Sequence, residues 1–166
     1  MMPCLGLYDP WASLVAFEEK RVETRSWKRK YRGELAIYAT KAFPIDAQHA
    51  CLQAPFRDVL SLHRYRMEFA PRGFVLCTVK LIDIVPTDQE LARQRCGWIQ
   101  RMRAAGYHTW TPGLHEDAFG DYGPDRFAWL MADVRLLKTP IQVRGHQGMW
   151  HLQQHEEAAV REELES

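Results

Sequence analysis

Three residues with complementary chemistry stand close together near the start of the chain: Lys20, Glu23 and Arg25, spaced as Lys-x-x-Glu-x-Arg. In an extended segment side chains alternate, so Glu23 and Arg25 share a face, while Lys20, at the end of a preceding helix, can swing toward either side. A lysine and an arginine converging on one acid suit a pocket for an anion or a polar base edge. Lys20 could also act as a general base if burial lowered its pKa, with Glu23 moving protons. The plain alternative is a surface network worth about 0–1 kcal/mol. Immediately downstream, Lys28, Arg29, Lys30 and Arg32 complete a run of seven Lys/Arg against one acid between Lys20 and Arg32, a local net charge of +6. Such a field attracts phosphates, and three or four contacts would make binding fall steeply with salt, with a slope of about −0.7 per phosphate on single strands. A solvated turn is the competing reading.

Other residues offer partial chemistry. Trp11, Trp27 and Tyr31 lie near the basic run. A base stacked on such a ring gains about 1–3 kcal/mol. Trp27, inside the cationic stretch, is the better stacking platform; Trp11 sits on an apolar face that also suits a core. Farther along, His115–Tyr122 holds three acids and a histidine, but the spacing matches no familiar metal template, so no metal and no cofactor are expected. Within it, Glu116 and Asp121 either read a base edge or act as acid and base, or else cap and turn the chain. The serines lack a nucleophile-elbow context.

The element pattern that must position these groups is mixed. Pro3–Tyr8 reads as a strand, and Asp9-Pro10 as a helix start with Asp9 the N-cap, followed by a face of Trp11, Leu14 and Val15. Residues 21–26 are β-like, 28–32 a polar turn, and Gly33 opens a strand in which Leu35, Ile37 and Ala39 alternate. A helical region over 44–66 breaks near Pro55. The run 73–85 predicts a long central strand, 89–105 a helix ending at Gly106, and 107–125 a long loop. A strand at 126–137 and a short extended segment at 141–144 follow, 148–152 closes the domain, and a charged helix or tail spans 153–166. This order, without a regular βαβ rhythm, predicts an α+β fold with a strongly curved or closed sheet flanked by helices.

Length and composition bound the class. The 166 residues, 46% hydrophobic and 11% aromatic, suit one domain with a real core, here expected over residues 3–152. The formal net charge of +1 names no partner. Four scattered cysteines lack metal spacing, and the start shows no basic region followed by an apolar core. No run approaches the roughly 20 apolar residues of a membrane span, so a reduced, cytoplasmic protein with no membrane partner is expected.

Several segments together resemble the ASCH domain (activating-signal-cointegrator homology) of the PUA-like superfamily. The stretch YDPWASLVAFEEKRVETRSW is similar to that family's opening Q-P-W-A-S-L-x-G-x-K-x-x-E-x-R-S-W. Tyr31-Arg32-Gly33, the strand ending Ala39-Thr40-Lys41, and the later EDAFGDYGPDRFAWLMADVRLL and TPIQVRGHQGMW are similar to later family blocks. Two departures stand beside the motif: Glu18 replaces a glycine, so a tight turn is made without one, and Asp9 replaces a glutamine. The resemblance implies a small mixed PUA-like β-barrel with helices at its rim. It implies a pocket at the mouth lined by Trp11, Lys20, Glu23, Arg25, Thr40 and Lys41, with Glu116, Asp121 and Tyr122 close by.

Members of the family are thought to bind RNA or other nucleic acids, and some are similar to bacterial enzymes that hydrolyse N4-acetylcytidine or cut single-stranded RNA. In the amidohydrolase relatives the motif acid is a threonine nucleophile. Here that position is Glu23, and Thr24 points to the opposite face, which argues against the same covalent mechanism. The expectation is therefore a module that binds RNA, single-stranded DNA or a nucleoside-sized ligand. The alternatives are a hydrolase or ribonuclease using Lys20 and Glu23, and a protein-interaction domain using the loop 107–125.

Overall fold

The computed structural model describes all residues 1–166. Six strands, β1 (Pro3–Leu7), β2 (Val22–Arg25), β3 (Gly33–Ala39), β4 (Phe74–Pro86), β5 (Phe127–Gln142) and β6 (Met149–His151), form one sheet in the order β2-β5-β4-β3-β1-β6. β1 and β3 run parallel and every other pair is antiparallel. Register shifts along β4 and β5 accompany the curl of the sheet into a half-barrel. The α+β class and the curved PUA-like sheet agree with the expectation, but the ladder does not close. β2 and β6 are the two edges, and the seam between them is crossed by side chains.

Alternation packs both faces. Leu35, Ile37 and Ala39 of β3 face the concave core with Val79, Leu81, Trp129 and Met131. Into this hollow the helix α1 (Trp11–Ala16) lays Ala12, Val15 and Ala16, while its Leu14 turns toward α3 (Phe56–Leu62) and its neighbour α2 (Ile45–Cys51). On the convex side α4 (Leu91–Ala104) seats Trp98 and Met102 on Val22, Val85, Ala128 and Leu130. Another convex patch receives Val160 of α6 (Gln154–Glu165) beside Tyr38 and Val75. The residues 153–166 thus form a docked helix. Its Glu156 accepts from the Gln153 and Arg144 N–H groups, and Arg161 pairs with Glu34 at 3.1 Å. No helix is long and apolar enough to cross a membrane.

Four local expectations need correction. The predicted strand 126–137 and the extended segment 141–144 are one strand, β5, because its partner β4 is long enough to pair with both segments. The helix expected from residue 89 begins at Leu91. The loop 107–125 carries a short helix, α5 (Glu116–Phe119), and is tied to the sheet: Trp110 Nε1 donates to Met131 O at 2.8 Å and Thr87 Oγ1 to Gly123 O at 2.7 Å. Pro10 rather than Asp9 occupies the cap position of α1, yet the Asp9 carboxylate still binds that helix, accepting from the Ser13 N–H at 3.1 Å and Ser13 hydroxyl at 2.6 Å. It also takes a 2.5 Å hydrogen bond from the Tyr65 hydroxyl.

Candidate functional site: the barrel mouth

The turn between α1 and β2 sets the site. Glu18 occupies the position where a glycine was expected and adopts a left-handed backbone with φ of 62°, a conformation that costs a residue with a side chain about 1–2 kcal/mol. The following residues then run into β2, which pairs only with β5, placing Glu23 opposite Trp129 and Arg25 opposite Phe127. Trp129 and Phe127 face the hollow, so Glu23 and Arg25 share the inner face, as their alternation requires. Thr24 turns outward, and its hydroxyl accepts the Asp121 N–H at 3.0 Å.

A cavity of about 760 Å³ opens at the seam between β2 and the β1–β6 edge. Glu23, Arg25, Ser26 and Trp27 form one wall, and Gly6, Leu7, Tyr8 and Trp11 the facing wall. Thr40 and the segment Ala118–Asp121 close the sides, with Arg126 and His146–Gly148 at the rim. Arg25 crosses the seam: its Nη2 donates to Gly6 O at 2.5 Å, while its Nε is buried with no partner. Glu23 is buried, and its Oε1 accepts the neighbouring Thr24 N–H at 2.7 Å.

Lys20 does not join this wall. It is fully buried, with its ammonium donating to Val22 O at 2.6 Å and Phe119 O at 3.2 Å. Its charge acts on Glu116, which is also fully buried. Burial pushes the Glu116 carboxyl above its ordinary pKa, opposed by the Lys20 charge and by hydrogen bonds from Arg21 N–H at 2.8 Å and Gly113 N–H at 3.0 Å. The expected convergence of Lys20 and Arg25 on Glu23 is therefore absent. Lys20 and Glu116 instead lock α5 beneath the pocket, since a charge taken from water must find partners inside. Glu116 Oε1 remains without a hydrogen bond.

The remaining candidates divide in the same way. Trp27 lines the cavity with its ring edge-on to Trp129 at 5.0 Å, and the Arg29 guanidinium lies over it at 4.4 Å. Lys28 sits over Phe127 at 5.6 Å, and Lys30 is exposed. Arg32 leaves the mouth for an ion pair with Asp83 at 3.1 Å. Trp11 and Thr40 line the pocket, whereas Lys41 lies outside it with its stem against Gly73. Asp121 lines the rim, its Oδ2 3.5 Å from Arg126 Nε. Tyr122 turns away to lie 5.2 Å from Trp98, its hydroxyl buried without a partner and its pKa raised by that burial. Arg126 and His146 are pocket residues that single-residue patterns did not single out. The sequence signal for both was their place in the later family-like blocks, Arg126 in GPDRFAW and His146 in VRGHQGMW.

The whole-chain comparisons accord with this architecture. A crystal structure of ASCH from Zymomonas mobilis superposes with a TM-score of 0.53 over 97% of this chain and 94% of that one, at 17% identity. A point mutant of that protein gives a TM-score of 0.53 at 16% identity, over 97% and 96% of the two chains. At such identities the likeness speaks to fold alone. Activating signal cointegrator 1 from Homo sapiens is 40% identical over 89 residues, 52% of this chain, and the Mus musculus protein matches equally. The matched segment is only 15% of the length of those relatives. The family model described as the ASCH domain matches residues 5–129, which contain both walls of the pocket except its His146–Gly148 rim. The chain belongs to the ASCH domain family.

Proposed function

We propose that the protein binds RNA or single-stranded DNA, seating one nucleotide in the barrel mouth while the turn 28–30 holds the adjacent backbone. The observation that carries this reading is the composition of the 760 Å³ cavity, a size suited to a small ligand. Two carboxylates (Glu23 and, at the rim, Asp121), two guanidiniums and two indoles line it, and the cations Lys28, Arg29 and Lys30 stand beside it. Glu23 offers an acceptor to an amino group of a base, Arg25 a donor with spare capacity, and Trp27 a ring already stacked by a cation that a base can replace.

The hydrolase reading draws less support. It needs Lys20 as a base, and that ammonium already donates to two backbone carbonyls below the pocket. Fluorescence anisotropy with labelled oligonucleotides tests the binding reading. Trp27→Ala should weaken binding by roughly 5- to 150-fold, the equivalent of about 1–3 kcal/mol for one stacked base. Unchanged affinity in Trp27→Ala and Arg25→Ala together would remove the mouth from the binding surface. Turnover of N4-acylated cytidines or of RNA by the wild type would replace the reading with the enzymatic one.

A further inference from the structure

A second concavity, of about 720 Å³, lies on the convex face between α4 and the end of β4. No acid occurs within α4 itself, whereas it carries Arg93, Arg95, Arg101 and Arg103. Arg93, Gly97 and Arg101 follow one another at four-residue intervals, so they form one ridge along the flank of the helix that lines the cavity. The two arginines are then about 12 Å apart along the axis, with a notch between them. A side chain added at Gly97 would meet nothing within 4 Å, so the glycine is not there for internal packing. A glycine in a helix interior is costly, and an open one bordered by two cations leaves space for a ligand to approach the backbone.

Two further observations point to an occupant. Gln94 and Trp98, both at least nine-tenths buried, line the same cavity, and Gln94 Oε1 and Trp98 Nε1 have no hydrogen-bond partner. An acceptor and a donor are thus unsatisfied beside the ridge, where a polar, planar group could meet them. The cavity is also linked to the basic turn. Arg101 binds Asp83 Oδ2 at 3.0 Å while Arg32 of the basic turn binds Oδ1 of the same residue at 3.1 Å. Across the sheet Arg25, Phe127 and Pro86 are register partners on adjacent strands. The strands that carry the two concavities are therefore about two strand spacings, ~10 Å, apart along the sheet, with the concavities on its opposite faces near the β2 edge. Asp88 is the one acid lining the cavity.

We propose that the α4 groove is a second seat for the same single-stranded nucleic acid, with phosphates on Arg93 and Arg101 across the Gly97 notch. This rests on the nucleic-acid reading of the mouth and extends it from one nucleotide to a strand that wraps the barrel edge.

The test uses fluorescein-labelled oligouridylates of about four and about twelve nucleotides, lengths within the roughly 4–16 nucleotides that small single-strand-binding folds cover. The wild type should bind the longer one at least about tenfold tighter. Arg93→Ala/Arg101→Ala should abolish most of that gain and lower the salt slope for the longer strand by about 1.4, two phosphates' worth, with the short strand unaffected. Gly97→Gln removes no charge and substitutes a better helix former. It should lose the same length-dependent gain with an unchanged or higher Tm, which separates a filled groove from a damaged fold. A length gain intact in both variants overturns the proposal. No binding of the short strand by the wild type, with the longer strand held in an Arg93-dependent way, supports the groove and overturns the mouth reading. Binding of neither length overturns both.

Discussion

Lys20 and Arg25 stand five residues apart in one motif, and the fold puts them to opposite uses. Lys20 is sealed beneath the pocket, its ammonium satisfied by two carbonyls and its charge set against the buried Glu116. Arg25 stands in the seam with one hydrogen bond from Nη2 across to β1 and its Nε buried without a partner. The difference teaches that a charged motif at a mouth need not be a single site. One half stabilises the floor, where a charge withdrawn from water needs partners inside, and the other keeps hydrogen-bonding capacity at the mouth.

The strongest way to break this comparison is at the floor. Lys20→Ala empties a fully buried side-chain site and leaves the Val22 and Phe119 carbonyls unpaired, and should cost about 2–5 kcal/mol of stability in urea unfolding. A variant as stable as wild type that had lost oligonucleotide binding would move Lys20 into the site instead. Arg25→Ala should behave inversely, weakening oligonucleotide binding by roughly 10- to 150-fold, as for one lost charged hydrogen bond of about 1.5–3 kcal/mol. Its shift in Tm should be the smaller of the two. Replacing Lys28, Arg29 and Lys30 together by alanine should flatten the salt dependence by about 0.7 for each phosphate no longer neutralised, with little change in the unfolding midpoint.

A finer test uses pH. The Glu116 carboxyl titrates above its ordinary value in the fold, so the native state holds its proton longer than the unfolded chain does. Its contribution to stability is therefore most favourable below the usual glutamate range and falls as pH rises from there toward the raised native pKa. The wild type minus Glu116→Gln difference in unfolding free energy should decline across that interval and level off above it. A flat difference would mean that the floor carries no such strain.

The smallest effect is at the turn that separates floor from mouth. Glu18→Gly should stabilise the protein by about 1 kcal/mol in thermal unfolding, because glycine accepts a φ of 62° without the steric cost. No gain would mean that the Glu18 backbone is held in that conformation at no cost.

Much of the frame was legible because it follows from local rules. Alternation in Leu35, Ile37 and Ala39 marked the concave face of β3, and Pro55 marked the break between α2 and α3. The glycine-less turn before Lys20 was visible as an anomaly, and Glu18 indeed carries the strain there. The merging of the predicted strand and the extended segment into β5 was hidden, since only the long partner β4 shows that the chain stays extended past Pro140. The pocket was half legible. Glu23, Arg25, Trp27, Trp11 and Thr40 were within reach of the motif, whereas Arg126 and His146 come from segments more than a hundred residues downstream of Arg25.

What the amino-acid sequence determined by itself was the list of charges and rings near the mouth and which of them alternate onto one face. These depend on the period of a strand and on nothing beyond the neighbouring residues. Only the tertiary structure decided which charges stay available. The Phe119 carbonyl, ninety-nine residues from Lys20, holds that lysine in the floor together with Val22 O, and Asp83 draws Arg32 away from the mouth toward α4. A buried or half-buried charge goes where its partner is, and the partner is set by how the sheet curls.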